Sequence, residues 1–163
     1  MQLRFASLND IQEIADIEAA CFPKTEAASY IQLKQRFDAF PENFLVLEED
    51  HIVGFINGNT SSIKGLPDAF YEDVTLHDPH GDYMTVFGLD VDPHYQHKGL
   101  AHQLMNGYIN LAKERHKKGI FLTCKDHLIG FYEGFGYKHL GVSSSTHGDA
   151  KWNDMYLEIE YEC

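Results

Sequence analysis

Val86-Phe87-Gly88-Leu89-Asp90-Val91-Asp92-Pro93, followed two residues later by Gln96-His97-Lys98-Gly99-Leu100-Ala101, is the stretch whose reading decides the fold. Tyr83 to Val91 is almost continuously apolar, which predicts a strand buried on both faces, and Gly88 in its middle predicts a bulge or a close backbone approach. Asp92-Pro93 ends the strand. Gly99 to Lys118 then carries the clearest helical pattern in the chain. Leu100, Leu104, Tyr108, Leu111 and Ala112 form an apolar stripe opposite Gln103, Asn106, Asn110, Lys113 and Lys117. Lys113, Arg115, Lys117 and Lys118 suit its C-terminal end, and Gly119 is expected to take a left-handed cap. The Q-x-x-G-x-A turn between strand and helix puts a glycine where a ligand could approach the backbone, at a helix N-terminus whose first N–H groups suit phosphate. It lacks the G-x-G-x-x-G glycines of a dinucleotide fold and the G-K-[ST] of a Walker loop.

Reading outward, Ile120 to Cys124 predicts a strand parallel to the buried one through a right-handed crossover, followed by a short helix over about 127 to 135. Tyr137 to Ser144 and Lys151 to Glu160 predict a closing hairpin. Upstream, residues 2 to 6 read as a strand, and Ser7 to Asp10 as the cap of a helix with Ile11, Ile14, Ala15 and Ile17 inward, which stops near Phe22-Pro23. A second helix is expected from Thr25-Glu26 to just before Pro41, then a hairpin of Asn43 to Leu47 and Ile52 to Asn59. Thr60 to Asp82 has no periodicity and is expected to be a long functional loop. It collects Asp68, Glu72, Asp73, Asp78 and Asp82 around Phe70, Tyr71 and Leu76, an acidic approach with an apolar lining. The plain alternative is that the aromatic residues only pin the loop to the core.

With 163 residues and 44% hydrophobic content the chain fits one domain, 1–163, of α/β (mixed α+β) class. Thirteen Lys and Arg against 25 Asp and Glu give a net charge of −12, which repels nucleic acid and anionic lipid and would concentrate a small cation, although acidic balance also serves solubility. No apolar run is long enough for a membrane span and the N-terminus has no signal-peptide pattern, so a soluble, cytoplasmic protein is expected. Cys21, Cys124 and Cys163 are odd in number and lack C-x-x-C spacing, which fits reduced thiols. The ten histidines form no helical ligand pair, so no metal is expected.

The Val86 to Pro93 strand, the Gln96 to Ala101 turn and Gly130-Phe131-Tyr132-Glu133-Gly134-Phe135-Gly136-Tyr137, taken together, resemble the GNAT superfamily of acetyltransferases. The resemblance covers essentially the whole chain. It implies a central mixed, mostly antiparallel sheet of about six to seven strands flanked by about four helices, splayed at a bulged central strand. It implies acetyl-CoA as cosubstrate, held by Leu89, Asp90 and Val91 on the strand, by the turn and helix start at Gln96, His97, Lys98, Gly99, Leu100, Ala101 and His102, and by Asp126 and Phe131. Pantetheine would lie against the strand like an added strand, and pyrophosphate against the turn. Tyr132 stands where the superfamily places the acid that protonates the departing thiolate, although a core aromatic reads the same way. Glu26 is the candidate general base, with a water chain beside Thr85 as its competitor.

A second similarity, to the arylalkylamine N-acetyltransferase branch, rests on Glu18 to Phe22, the long loop, and Cys124-Lys125-Asp126 leading into Phe131-Tyr132. The two histidines of vertebrate members fall at Thr85 and Phe87, so their base chemistry does not carry over. The function implied is direct acetyl transfer to the primary amine of a small cationic acceptor by a monomer or homodimer. A protein or peptide N-acetyltransferase, a non-catalytic acetyl-CoA-binding module and a metal-binding histidine protein are the competing readings.

Overall fold

A computed structural model describes residues 1–161. In chain order the elements are β1 (Gln2–Phe5), α1 (Ile11–Cys21), α2 (Tyr30–Ala39), β2 (Phe44–Glu48), β3 (Ile52–Asn57), β4 (Thr60–Ser61), α3 (Ala69–Glu72), β5 (Tyr83–Val86), β6 (Gly88–Val91), α4 (Leu100–Glu114), β7 (Gly119–Cys124), α5 (Ile129–Glu133), β8 (Lys138–Val142) and β9 (Asn153–Glu158). The class is the mixed α/β one expected. The chain divides into two compact units, Met1–Gly58 with Phe87–Asn110, and Asn59–Val86 with the chain from Leu111 on.

The first unit holds an antiparallel sheet of order β1-β2-β3-β6. Its core is built from Ile11, Ile14 and Ile17 of α1, Leu33 of α2, and Phe44, Val46, Val53, Phe55 and Ile56 of the central strands, all buried. Each large side chain removed from water there contributes about 2 kcal/mol before entropy is counted. Arg4 on β1 makes a fork to Asp10 (2.8 Å) and Glu48 (3.0 Å), and the Ser7 N–H donates to the same Asp10 carboxylate (2.7 Å), so the entry to α1 is tied to the sheet.

Helix α2 starts later than the sequence reading has it. Ser29 accepts from the Gln32 N–H and Gln32 accepts from the Ser29 N–H, a reciprocal cap that fixes the start at Tyr30. Glu26 therefore sits four residues ahead of the helix, in a turn where its N–H donates to Pro23 O. The end of α4 also differs. His116, at φ 56°, takes the left-handed position expected of Gly119, and Lys117 N–H closes back on Ala112 O. Gly119 instead opens β7, with the Tyr156 ring lying over the place a Cβ would occupy.

The irregularity expected near Gly88 is a break at Phe87 that divides the 83–91 run into β5 and β6. Asn57 pairs with Gly88 while its carbonyl also accepts the Phe87 N–H (2.7 Å), the two-against-one count of a bulge. The residues before the break belong to one sheet and those after it to another. Burial on both faces holds for β5, whereas Gly88 and Leu89 of β6 are half-buried.

The second unit holds a sheet of order β4-β5-β7-β9-β8, with β5 and β7 parallel and the other pairs antiparallel. Among the described residues nine strands in two sheets stand where about six to seven were expected, because the 83–91 run counts twice and β4 is too short to read. The aperiodic stretch 60–82 contains β4, α3 and a 3-10 turn, Val74–Leu76. Phe70 of α3 is buried, and Lys117 Nζ donates to Pro79 O (2.9 Å) and Gly81 O (2.6 Å), so core and side-chain contacts hold this segment. Gly81 lies against Ser61: a Cβ there would stand 2.2 Å from the Ser61 carbonyl carbon. Gly81→Ala should cost about 3 kcal/mol and lower the thermal midpoint by roughly 6 to 12 °C, and an unchanged midpoint would show the segment to be looser than this packing implies.

Cys21 and Cys124 are free thiols, and Cys163 lies outside the described residues. Among the described residues no helix is long and apolar enough to cross a membrane.

Candidate active site

Strand β6 is the end strand of the first sheet. Its ladder fixes which main-chain groups face a ligand. Asp92 N–H bonds Val53 O (2.8 Å) and Asp90 pairs with Phe55, so the alternation of an antiparallel pair turns the main-chain groups of Leu89 and Val91 away from β3. The Val91 carbonyl is occupied, accepting from Gln96 Nε2 (3.2 Å) and Cys21 Sγ (3.2 Å). That leaves the Leu89 N–H and C=O and the Val91 N–H facing outward. The first of these two bonds also gives Gln96 a role that the pattern alone did not: its side chain folds the turn back onto the strand.

The turn itself is exposed from Gln96 to Gly99 and winds through two left-handed residues, His97 at φ 64° and Gly99 at φ 80°. Nothing lies within 4 Å of the position a Gly99 Cβ would take. The first hydrogen bond of α4 runs from Gln103 N–H to Gly99 O (3.2 Å), so the amides of Leu100 and Ala101 stand outside the helical ladder at the positive end of a 15-residue helix. An open glycine, amides outside the helical ladder and a helix N-terminus fit a pyrophosphate-bearing group. Lys98 Nζ sits 5.3 Å over the Tyr95 ring, its charge held beside the turn. His102 is exposed one turn into the helix.

Residues expected further along the chain lie in the second unit. Tyr132, on α5, is buried with its ring edge-on to Phe131 (5.1 Å between centroids) and Tyr137 (5.8 Å). Phe131 is half-buried and also meets Phe135 at 5.3 Å. Asp126 is exposed and accepts from Asn153 Nδ2 (2.8 Å) and Lys151 Nζ (3.3 Å), contacts that hold its carboxyl below the usual carboxylate range, the Asn153 bond foremost. Its side chain is therefore spent on β9. Thr85 Oγ1 donates to Asn59 Oδ1 (2.7 Å) and is fully buried.

Four of the loop acids, Asp68, Asp73, Asp78 and Asp82, have protein partners. Asp68 accepts from Ser145 Oγ (2.5 Å) and from the Thr146 N–H, Asp73 from the Thr75 N–H, Asp78 from the His80 N–H, and Asp82 pairs with Lys118. Tyr71 reaches Thr123 Oγ1 (3.2 Å) and stacks on His147 at 5.2 Å, and Leu76 is exposed. Phe70 and Tyr71 are thus pinned to the rest of the unit, whereas Leu76 is not.

The sequence reading did not pick out a carboxyl pair in the first unit. Glu18 on α1 and Asp90 on β6 are both buried, and each is the other's neighbour. Burial first, and the Glu18 carboxylate second, push the Asp90 carboxyl well up from its ordinary value. The same two acids and burial, burial foremost, push the Cys21 thiol up to about 12, which leaves it an inert thiol. The signal was present in the sequence: Glu18 falls on the apolar stripe of α1 and Asp90 inside an apolar strand. Among the described residues no group of three or more His, Cys, Asp or Glu is placed to hold a metal ion.

The chain is similar to serotonin N-acetyltransferase from Mesocricetus auratus, at 29% identity over 117 residues, which is 71% of this chain and 54% of that protein. It thus spans about half the length of that relative. Its fold is that of the GphF GNAT-like decarboxylase solved with isobutyryl-CoA (TM-score 0.83, 22% identity, 97% of this chain and 99% of that one). It is also that of yncA from Salmonella typhimurium, solved with its cofactor acetyl-CoA (TM-score 0.71, 17% identity, 100% of this chain and 96% of that one). The family model for acetyltransferases of the GNAT type matches residues 11–137, a run that takes in α1, the bulged strand, the Gln96 to Ala101 turn and Tyr132, and the chain belongs to the acetyltransferase (GNAT) family.

Proposed function

We propose that the protein transfers the acetyl group of acetyl-CoA to the primary amine of a small acceptor that arrives as a cation, as a single GNAT domain. The observation that carries this is the pairing of an outward-facing Leu89–Val91 edge with an open, left-handed Gly99 turn at the start of α4. Acetyl-CoA brings an activated thioester carbonyl. The Leu89 C=O and Val91 N–H hold its pantetheine arm, and the amides from His97 to His102 hold its pyrophosphate. The Leu89 N–H meets the oxyanion that develops when the amine attacks. The C–N bond forms as the C–S bond breaks, with no covalent enzyme intermediate, and Tyr132 gives the departing thiolate its proton.

Glu26 remains a candidate base, as a turn residue rather than a helix-start one, with a water chain beside Thr85 as the other. The cationic acceptor is supported by the net charge of −12 and by the similarity to a serotonin N-acetyltransferase. The attacking nitrogen must be neutral, so activity should rise with pH until the amine has lost its proton.

A salt series tests the acceptor. The kcat/KM for 2-phenylethylamine should fall between low and high ionic strength by more than that for aniline, which carries no charge at working pH. Equal responses would remove charge from the account of acceptor choice.

A further inference from the structure

The bulge that opens β6 is gripped from α2. Asn57 pairs with Gly88 and its carbonyl also accepts the Phe87 N–H (2.7 Å), so Phe87 is the residue added to the ladder there. Gly88 carries no side chain. The Phe87 ring is therefore the nearest handle before Leu89 by which the bulge can be held, and Leu89 presents its N–H outward two residues on.

Two residues at the end of α2 take hold of that ring. Arg36 places its guanidinium carbon over the ring, 5.0 Å from the centroid, and Phe40 meets the ring edge-on at 6.0 Å. Phe40 is fully buried, its N–H closes the helix on Arg36 O (2.8 Å), and its own ring stacks on Phe44 at the start of β2 (6.1 Å). The Phe87 ring is thus held on its face and at its edge by a helix end that is itself anchored in the core.

Arg36 is an unusual choice for packing alone. An arginine in the last turn of a helix commonly answers the helix dipole from the surface, whereas Arg36 is 6% exposed. Taking a guanidinium out of water is costly, and an apolar side chain would fill the space without that cost. What an apolar side chain cannot supply is a cation drawn to the face of an aromatic ring, which fixes where the ring lies.

We propose that Arg36 is a positioning residue for acetyl transfer: it holds the Phe87 ring, and through the ring it holds the bulge that aims the Leu89 N–H. The role rests on the Leu89 N–H as the oxyanion donor of the proposed reaction. A donor slightly re-aimed loses much of its effect on the transition state, while the contacts that bind acetyl-CoA survive.

Arg36→Leu, Phe87→Leu and the double variant, each shown to be folded by its thermal midpoint, test this with two readouts. Arg36→Leu should lower kcat about tenfold with acetyl-CoA affinity unchanged, and should add nothing to the loss in a Phe87→Leu background, because one residue acts through the other. In the free protein, hydrogen exchange at the Phe87 amide should quicken about tenfold in Arg36→Leu while amides of the β2–β3 ladder keep their rates. An arginine that only stabilises the fold would quicken them all together. Unchanged kcat in a protein that turns over, losses that add in the double variant, or exchange at Phe87 that is unaltered or rises only with the whole sheet overturns the role. Should Arg36→Leu not fold, Arg36→Lys, which keeps the charge but not the planar group, carries the same two readouts with the same sign. Absence of thiol release from the wild type with any amine would remove the proposed transfer, and the exchange pattern alone would then decide whether Arg36 holds the bulge.

Discussion

Tyr132→Phe should lower kcat about a hundredfold, close to 2.7 kcal/mol of transition-state stabilisation, while coenzyme affinity and thermal midpoint stay near those of the wild type. The substitution separates the two roles a buried tyrosine can have at this place. If Tyr132 only packs against Phe131 and Tyr137, the ring of phenylalanine fills the same space and turnover should change little. If its hydroxyl protonates the leaving thiolate, the lost proton has no substitute on that ring, and the deficit should appear in kcat rather than in KM. Equal turnover with a good acceptor would reduce Tyr132 to a packing residue. The size of the effect should also shrink for acceptor reactions in which thiolate departure is not rate-limiting.

Gly99→Val should weaken acetyl-CoA binding by about one to two orders of magnitude in a folded protein. The cause is not collision, since the space around a Gly99 Cβ is empty. It is the backbone: Gly99 stands at φ 80°, and a β-branched residue there must either bear the strain or rotate the turn. Rotation would re-aim the amides of Leu100 and Ala101. Gly99→Ala, with no branch at Cβ, should lose less than Val. Calorimetry that finds Val and wild type alike in coenzyme affinity would move the site away from this turn.

How far the sequence carries can be judged element by element. The stripe of α4, the apolar positions of α1 and the β2–β3 hairpin were legible because their periods are set by burial on one face. The start of α2 was missed although Ser29-x-x-Gln32 spells a reciprocal cap, because Thr25-Glu26 offered a similar signal earlier. The irregularity of 83–91 was legible from Gly88 and from the family resemblance, whereas its exact place at Phe87 was not, since a continuous apolar run looks the same whether its two ends serve one sheet or two. His116 as the left-handed cap carried no signal at all, whereas Gly119 carried a misleading one. In the site, the glycine turn was readable from spacing. The occupied Val91 carbonyl was not, because it depends on where Gln96 and Cys21 fold back. The Glu18–Asp90 pair joins residues 72 positions apart in sequence, and only its two out-of-pattern acids hinted at it.

The measurement that bears most directly on the account is thiol release from acetyl-CoA with 2-phenylethylamine, spermidine and a decapeptide with a free N-terminus, each product weighed by mass spectrometry. The account predicts release with one or both small amines, matched mole for mole by the N-acetyl product. Release with the peptide alone, or none with any amine from a protein that binds acetyl-CoA, would contradict it.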